Sequence, residues 1–295
     1  MKRMLLLLVL IGIMLSLAAE GLIIRKLKQK ALAGDYESQV MLADSYYFGV
    51  GAKKDLAEAL KWLHVAAVKA DPQIQYKIGN AYFYAEGTVA DTSAALHWYR
   101  MAAEQDHVDA QYKLGECYYL GTGVKKDYVE AVYWFSAAAA QGHLWAQNIL
   151  ADCLFVGKGT QRDPREAEKW YSYAANQGFD WAQYRLGKRY LEGIGVDQDN
   201  QKAFFWFEKA ADQAYPIALH ALGILYLNGT GTKPTPKEAL VNFILVRLCD
   251  PTSTDELSQN IAAAKKALTE IEITNAEKEA QRRFERFLKN KTGDK

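Results

Sequence analysis

Five histidines, three cysteines and 35 acidic residues are the first groups in this 295-residue sequence to examine for proton transfer, nucleophilic attack or metal binding. Their spacing supports none of these. His107 and His143 stand 36 residues apart in equivalent positions, at boundaries where solvated loop residues are expected, and His64, His97 and His220 are scattered. Cys117 and Cys153 are also 36 residues apart, a spacing that fits no common zinc pattern. On stacked helices they would lie roughly 8–10 Å apart, beyond the ~7 Å Cα reach of a disulfide. With Cys249 the count is odd, which argues against a disulfide framework. There is no nucleophile elbow and no dinucleotide fingerprint. The Gly-x-Gly turns at Gly49/Gly51, Gly121/Gly123, Gly157/Gly159, Gly193/Gly195 and Gly229/Gly231 read as turns needing positive φ, not as phosphate cradles. The chain is therefore expected to be no enzyme and to need no cofactor or metal. The chemistry left is that of surface recognition, and the unusual pair for it is Trp145 and Trp181.

What positions that pair is an internal repeat. Trp62, Trp98, Trp134, Trp170 and Trp206 keep a step of 36, as do Gly51, Gly87, Gly123, Gly159, Gly195 and Gly231. So do Ala59, Ala95, Ala131, Ala167, Ala203 and Ala239. Units too short to bury a core alone, repeated at this period, are the signature of a solenoid. They run Asp35–Ala70, Asp71–Asp106, His107–Gly142, His143–Gly178, Phe179–Ala214 and a degenerate Tyr215–Asp250. Each reads as two helices. The second begins at a cap column, Asp55, Asp91, Asp127, Asp163, Asp199 and Thr235, whose side chains accept from free first-turn amides. Glu58, Glu130, Glu166 and Glu238 stand three residues on and predict capping boxes. Pro164 and Pro236 occupy the first helical position, where proline is tolerated. Trp98, Trp134 and Trp170, flanked by alanine columns, read as core.

At about 100° per residue, Ala110, Leu114, Gly115 and Tyr118 share the buried face of a first helix. Asp109, Lys113, Glu116 and Leu120 share the opposite one. Along the outward stripe the Asp109 column becomes Trp145 and Trp181, and the Lys113 column becomes Ile149 and Arg185. The Leu120 column runs Phe48, Tyr84, Leu120 and Val156. These apolar side chains, flanked by Lys113, Arg185 and Lys188, predict a concave partner-binding strip, since apolar patches rimmed by charge mark interaction sites. The alternative is that Trp145 and Trp181 pack between neighbouring units.

The columns Ala110, Tyr112, Leu114, Gly115 and Tyr118, then Gly121, Gly123 and Val124, then Asp127, Ala131, Trp134 and Phe135, and finally Ala138, Ala139, Gln141 and Gly142 resemble the Sel1-like repeat family. The resemblance spans about residues 34–250. It implies an all-α fold, an α/α solenoid superhelix of helix-turn-helix repeats related to tetratricopeptide repeats, that works as a scaffold for protein–protein contacts. Exported bacterial members resemble envelope assembly factors, host-interaction proteins and immunity proteins that neutralise secreted toxins. The paired cysteines of the cysteine-rich subgroup are missing here, so that subgroup's properties do not carry over.

Half of the residues are hydrophobic and 24% are charged, which places the chain among folded proteins. A net charge of +1 gives no basic field for nucleic acid. Residues 1–24 read as a signal peptide or membrane anchor: Lys2 and Arg3 precede an apolar run from Met4 to Ala19, which extends to Ile24 if uncleaved. Residues 25–34 read as an N-terminal capping helix, 35–250 as the repeats, and 251–295 as a helical cap or tail. The expected place is the periplasm, or the inner membrane facing it. The expected partner is a protein, either a toxic effector or an envelope component.

Overall fold

The computed structural model describes residues 22–69, 71–252 and 255–292. The expected export or anchor segment lies outside the described residues except for its last three positions. Among the described residues every regular element is helical, and no helix is long and apolar enough to cross a membrane. The described residues form two compact units, one up to His143 and one from Leu144 on. The first holds α1 (22–32), α2 (Tyr36–Phe48), α3 (Leu56–Ala66), α4 (Pro72–Phe83), α5 (Thr92–Ala103), α6 (Val108–Leu120) and α7 (Tyr128–Ala140). The second holds α8 (Leu144–Val156), α9 (Pro164–Asn176), α10 (Asp180–Glu192), α11 (Asn200–Ala211), α12 (Pro216–Asn228), α13 (Pro236–Cys249), α14 (Asp255–Lys266) and α15 (Glu270–Thr292). Within each unit the helices pack as consecutive antiparallel pairs, the architecture of an α/α solenoid.

The caps form where the sequence places them. Asp55, Asp91, Asp127, Asp163 and Asp199 each accept from first-turn amides, whereas Thr235 turns its hydroxyl to the Lys233 carbonyl instead. The expected capping boxes do not close. A capping glutamate needs the cap residue's own amide, and that amide is already used: Asp127 N–H donates to the Tyr118 carbonyl at 3.0 Å, and Asp55 to that of Tyr46 at 2.9 Å. Glu58 accepts from Trp62 Nε1 at 3.0 Å instead. The amide bonds of Asp55 to Tyr46 and of Asp127 to Tyr118 pin the turn between the two helices of a repeat. Within that turn the second glycine meets the preceding repeat. A Cβ on Gly123 would stand 2.6 Å from the Thr92 carbonyl oxygen, and one on Gly231 2.0 Å from that of Asn200. The turn amides are also taken, Gly121 and Thr122 N–H both donating to the Cys117 carbonyl at 2.8 and 2.9 Å.

The core differs from the expectation in one respect. Trp62 is buried, but Trp98, Trp134 and Trp170 are only half-buried. The wholly buried ring is one residue further on: Tyr99, Phe135, Tyr171, Phe207 and Phe243. Helix geometry explains this. Ala131 and Phe135, four apart, share the face turned to α6, and Trp134 lies about 100° to its side. Each ring lies flat on a residue with little or no side chain. A Cβ on Gly115 would stand 2.8 Å from the Phe135 ring, and one on Gly79 2.6 Å from Tyr99. Ala151 takes this place beside Tyr171.

A buried glutamine column joins repeat to repeat. Gln39, Gln111 and Gln183 amides donate to the carbonyls of Ala31, Ala103 and Ala175 at 3.1–3.2 Å. The Gln75, Gln111 and Gln183 side-chain carbonyls accept from Gln105, Gln141 and Gln213 at 2.8, 2.9 and 2.8 Å. At the end of the last repeat, α13 is buried continuously from Ala239 through Leu245, because α14 and α15 cover it. Ala276 and Ala280 let α15 approach closely, and Arg283 reaches Glu238 at 3.1 Å.

Candidate protein-binding surfaces

The outward stripe of the first helices is built by what the inward face consumes. Once Leu114, Gly115 and Tyr118 meet the second helix, the residues about half a turn away are left to solvent. In the first unit, Phe48, Tyr84 and Leu120 end α2, follow α4 and end α6, and each is more than half exposed. In the second unit Val156 is equally open, Trp145 is 50% exposed, and Ile217 continues the Trp145 column on α12 with half its surface in solvent. Ile149 and Trp181 are half-buried.

The Trp145 column changes character along the chain, in a ladder of pairs 34 residues apart. In the first unit it is polar. Gln73 meets His107 Nε2 at 2.9 Å, and Asp109 lies 3.6 Å from His143. In the second unit the same contact is aromatic, Trp145 standing edge-on to Phe179 with centroids 4.8 Å apart. His107 and His143 are thus not solvated boundary residues. They stack on Tyr76 and Tyr112 with centroids at 4.8 and 4.4 Å. Burial pushes both imidazoles below the ordinary histidine range, outweighing the pull of Asp109.

The flanking cations are engaged within their own units. Lys113 pairs with Glu116 at 2.8 Å, lies over the Tyr84 and Tyr112 rings at 5.7 and 5.8 Å, and keeps a side chain only 18% exposed. Burial alone would lower its pKa, but the Glu116 and Tyr84 partners hold it above the ordinary lysine value. Arg185 stacks on the Trp181 ring at 5.3 Å and reaches Asp152 at 3.5 Å. Lys188 pairs with Glu192 at 3.6 Å. Trp145 therefore stands as an open ring, while Trp181 is roofed by a guanidinium and its buried Nε1 finds no hydrogen-bond partner among the described residues.

Two features escaped the sequence reading. The outer faces of the second helices also expose rings, Tyr133 in the first unit and Tyr173 and Phe205 in the second. The irregular column Lys61, His97, Tyr133, Lys169, Phe205 was the available signal for Tyr133 and Phe205, and the column Val65, Met101, Ala137, Tyr173 for Tyr173. The second feature is a cavity in the first repeat, lined in part by Ala43, Leu60, Leu63 and Ala81. For catalysis the surroundings are poor. Burial pushes the Cys117 and Cys153 thiols up to about 11, so neither is a thiolate at neutral pH. Among the described residues no three His, Cys, Asp or Glu side chains converge as a metal site.

With fold and surfaces in hand, comparison with known proteins defines the class. The Sel1 repeat model matches residues 37–67, 72–107, 108–143, 146–179, 182–215 and 216–243. The chain belongs to the Sel1 repeat family, whose members are protein-interaction scaffolds, typically without catalysis. Among solved structures it is similar to c5321, a protective antigen present in uropathogenic Escherichia coli strains displaying an SLR fold. That likeness has 30% identity and a TM-score of 0.79, covering 89% of this chain and 56% of that one. This chain thus spans little more than half the length of that relative. It is also similar to a Sel1 repeat protein from Oxalobacter formigenes, with 32% identity and a TM-score of 0.64, over 77% of this chain and all of that one. A likeness to immunity protein Pa5087 from Pseudomonas aeruginosa, at 19% identity and a TM-score of 0.42 over 71% of this chain and 83% of that one, is too remote to bear on function. No curated protein matches the chain.

Proposed function

We propose that this chain is a non-catalytic scaffold of the bacterial envelope that binds a protein partner on the outward stripe of its first helices. The observation that carries the reading is the regular exposure of large apolar side chains there: Phe48, Tyr84 and Leu120 in one unit, Trp145, Val156 and Ile217 in the other. Patches of this kind are uncommon on a surface that meets only water, and aromatic anchors dominate interface energetics. The N-terminal apolar run supports an envelope location, and the reading places the repeats on the periplasmic side.

The test is affinity capture from native envelopes with the wild-type chain and two variants, Trp145→Ala with Val156→Ser, and Tyr84→Ser with Leu120→Ser. Circular dichroism checks that each variant remains helical. The expected result is loss of the captured protein with at least one folded variant. Unchanged capture by both folded variants overturns the stripe as the binding surface. Recovery of a single tightly held toxic effector would make the scaffold an immunity protein, and recovery of an envelope assembly would make it an adaptor.

A further inference from the structure

The first repeat lacks the ring that every later repeat buries. The position of Tyr99, Phe135, Tyr171, Phe207 and Phe243 is held there by Leu63. The shell around that position is nevertheless kept. In the second repeat Tyr99 packs with Ala95, Leu96, Cys117 and Phe83. Their counterparts 36 residues earlier are Ala59, Leu60, Ala81 and Tyr47, and these line a cavity of about 150 Å³. Replacing Cys117 by its counterpart Ala81 opens it further. The residue on which the ring would lie is Ala43, as Ala151 is for Tyr171. An apolar protein cavity of about this size takes up benzene.

The end of the cavity is built for a hydroxyl. Tyr99 Oη donates to Asn80 at 2.8 Å, and Tyr171 Oη donates to Asp152. The counterpart of both acceptors is Asp44, which lines the cavity and keeps 41% of its side chain exposed. The cation is reproduced as well. Arg185 approaches one Asp152 oxygen at 3.5 Å while Tyr171 uses the other. Its counterpart Lys77 holds Asp44 Oδ1 at 2.7 Å, and among the described residues Oδ2 receives no hydrogen bond. Phe48, exposed to solvent, stands on the lining beside this open end.

We propose that this cavity binds a para-hydroxyphenyl ring, its hydroxyl donating to the Asp44 carboxylate, and that the ring is a tyrosine side chain of the partner. The second half rests on the scaffold reading; the first half does not. The fourth repeat supplies the template, with Ala151 beneath the ring, Asp152 on its hydroxyl and Arg185 on the carboxylate.

The experiment titrates the full-length protein with p-cresol, the tyrosine side chain as a free molecule, and with toluene. It follows the methyl NMR signals of Ala43, Leu60, Leu63 and Ala81. Saturable shifts confined to these methyls are expected with p-cresol. Asp44→Ala is expected to weaken p-cresol about tenfold and leave toluene unchanged, the effect of one hydrogen bond to a charged group. Leu63→Tyr is expected to abolish binding of both and to raise the melting temperature. Should that variant not fold, Ala81→Leu fills the cavity from the opposite wall and is expected to abolish binding likewise. Absence of saturable p-cresol binding, or binding that survives a folded cavity-filling variant, overturns the site. An Asp44→Ala effect shared equally by toluene overturns the hydroxyl assignment. Partner capture separates the two halves. If Leu63→Tyr captures the partner as well as wild type while losing p-cresol, the partner tyrosine is ruled out. If both stripe variants capture normally and p-cresol still binds, the stripe reading falls and the cavity stands.

Discussion

Phe135 on Gly115 shows how much of this fold rests on single residues. The ring is wholly buried and has no room for a Cβ beneath it. Phe135→Ala is expected to destabilise by roughly 3–5 kcal/mol, measured by urea unfolding, and the half-buried Trp134→Ala by clearly less. The opposite ordering would contradict the assignment of the core to the ring column. The sequence showed the tryptophans as the more regular signal, so they read as core. Distinguishing residue 134 from residue 135 needs the actual direction of the second helix, which the period alone does not supply. A second residue carries strain. Ala85 adopts φ 59° where other repeats place the first glycine of the turn. Ala85→Gly is expected to stabilise by about 0.5–1 kcal/mol, because a left-handed residue with a Cβ is unfavourable. A fall in the urea midpoint would show that the turn is not strained there.

At the scale of elements, the polar ladder of the first unit ties helix pairs together through neutral imidazoles. His107 caps α6, accepting from the Ala110 amide at 3.2 Å, and faces Gln73, Tyr76, Asp71 and Asp109. His143 faces Tyr112, Asp109 and Lys113. Burial depresses both pKa values, and that of His64. As pH falls below about 6.5 the unfolded chain takes up protons first. The stability these histidines contribute is therefore complete above that pH and drains away as pH falls towards the folded values. The melting temperature is expected to drop between pH 7 and pH 5, and less steeply in a His107→Gln, His143→Gln double variant. An equal slope in the variant would exclude these residues as its source. The ladder was hidden in the sequence because its partners are 34 residues apart, two short of the repeat, so no column displays them. Lys113 read as a free rim charge because Glu116, three residues on, and the Tyr84 ring of the preceding helix pair were not weighed as its partners, although both occupy it.

At the scale of the molecule, the period, the caps and the Gly-x-Gly turns made the all-α repeat architecture legible before any coordinates, because each is a local signal repeated in register. The end of the stack was less legible. Asn242 in the tryptophan column signalled a change, but not that α14 and α15 would cover α13. Removing residues 270–295 is expected to lower the melting temperature of the chain by about 5–10 °C, the shift that a loss of ~2–3 kcal/mol gives at this size. A truncated chain that melts like the whole one would show α15 to be dispensable to the core of the second unit. The cavity of the first repeat was legible too, in Leu63 under a column of rings, but only once that column was known to be the buried one.

The ladder that binds one repeat to the next also governs how the chain can change length. Its partners lie a fixed 34 residues apart, Gln73 with His107 and Asp109 with His143. Deleting residues 107–142 would bring His143 onto Tyr76, with Gln73 as its acceptor, in the place His107 now fills. Unequal exchange within the coding sequence, in whole steps, leaves this joint chemically intact. A slip of even one residue does not: it separates imidazole, tyrosine and acceptor together. Length variation among relatives is therefore expected to come in increments of a repeat.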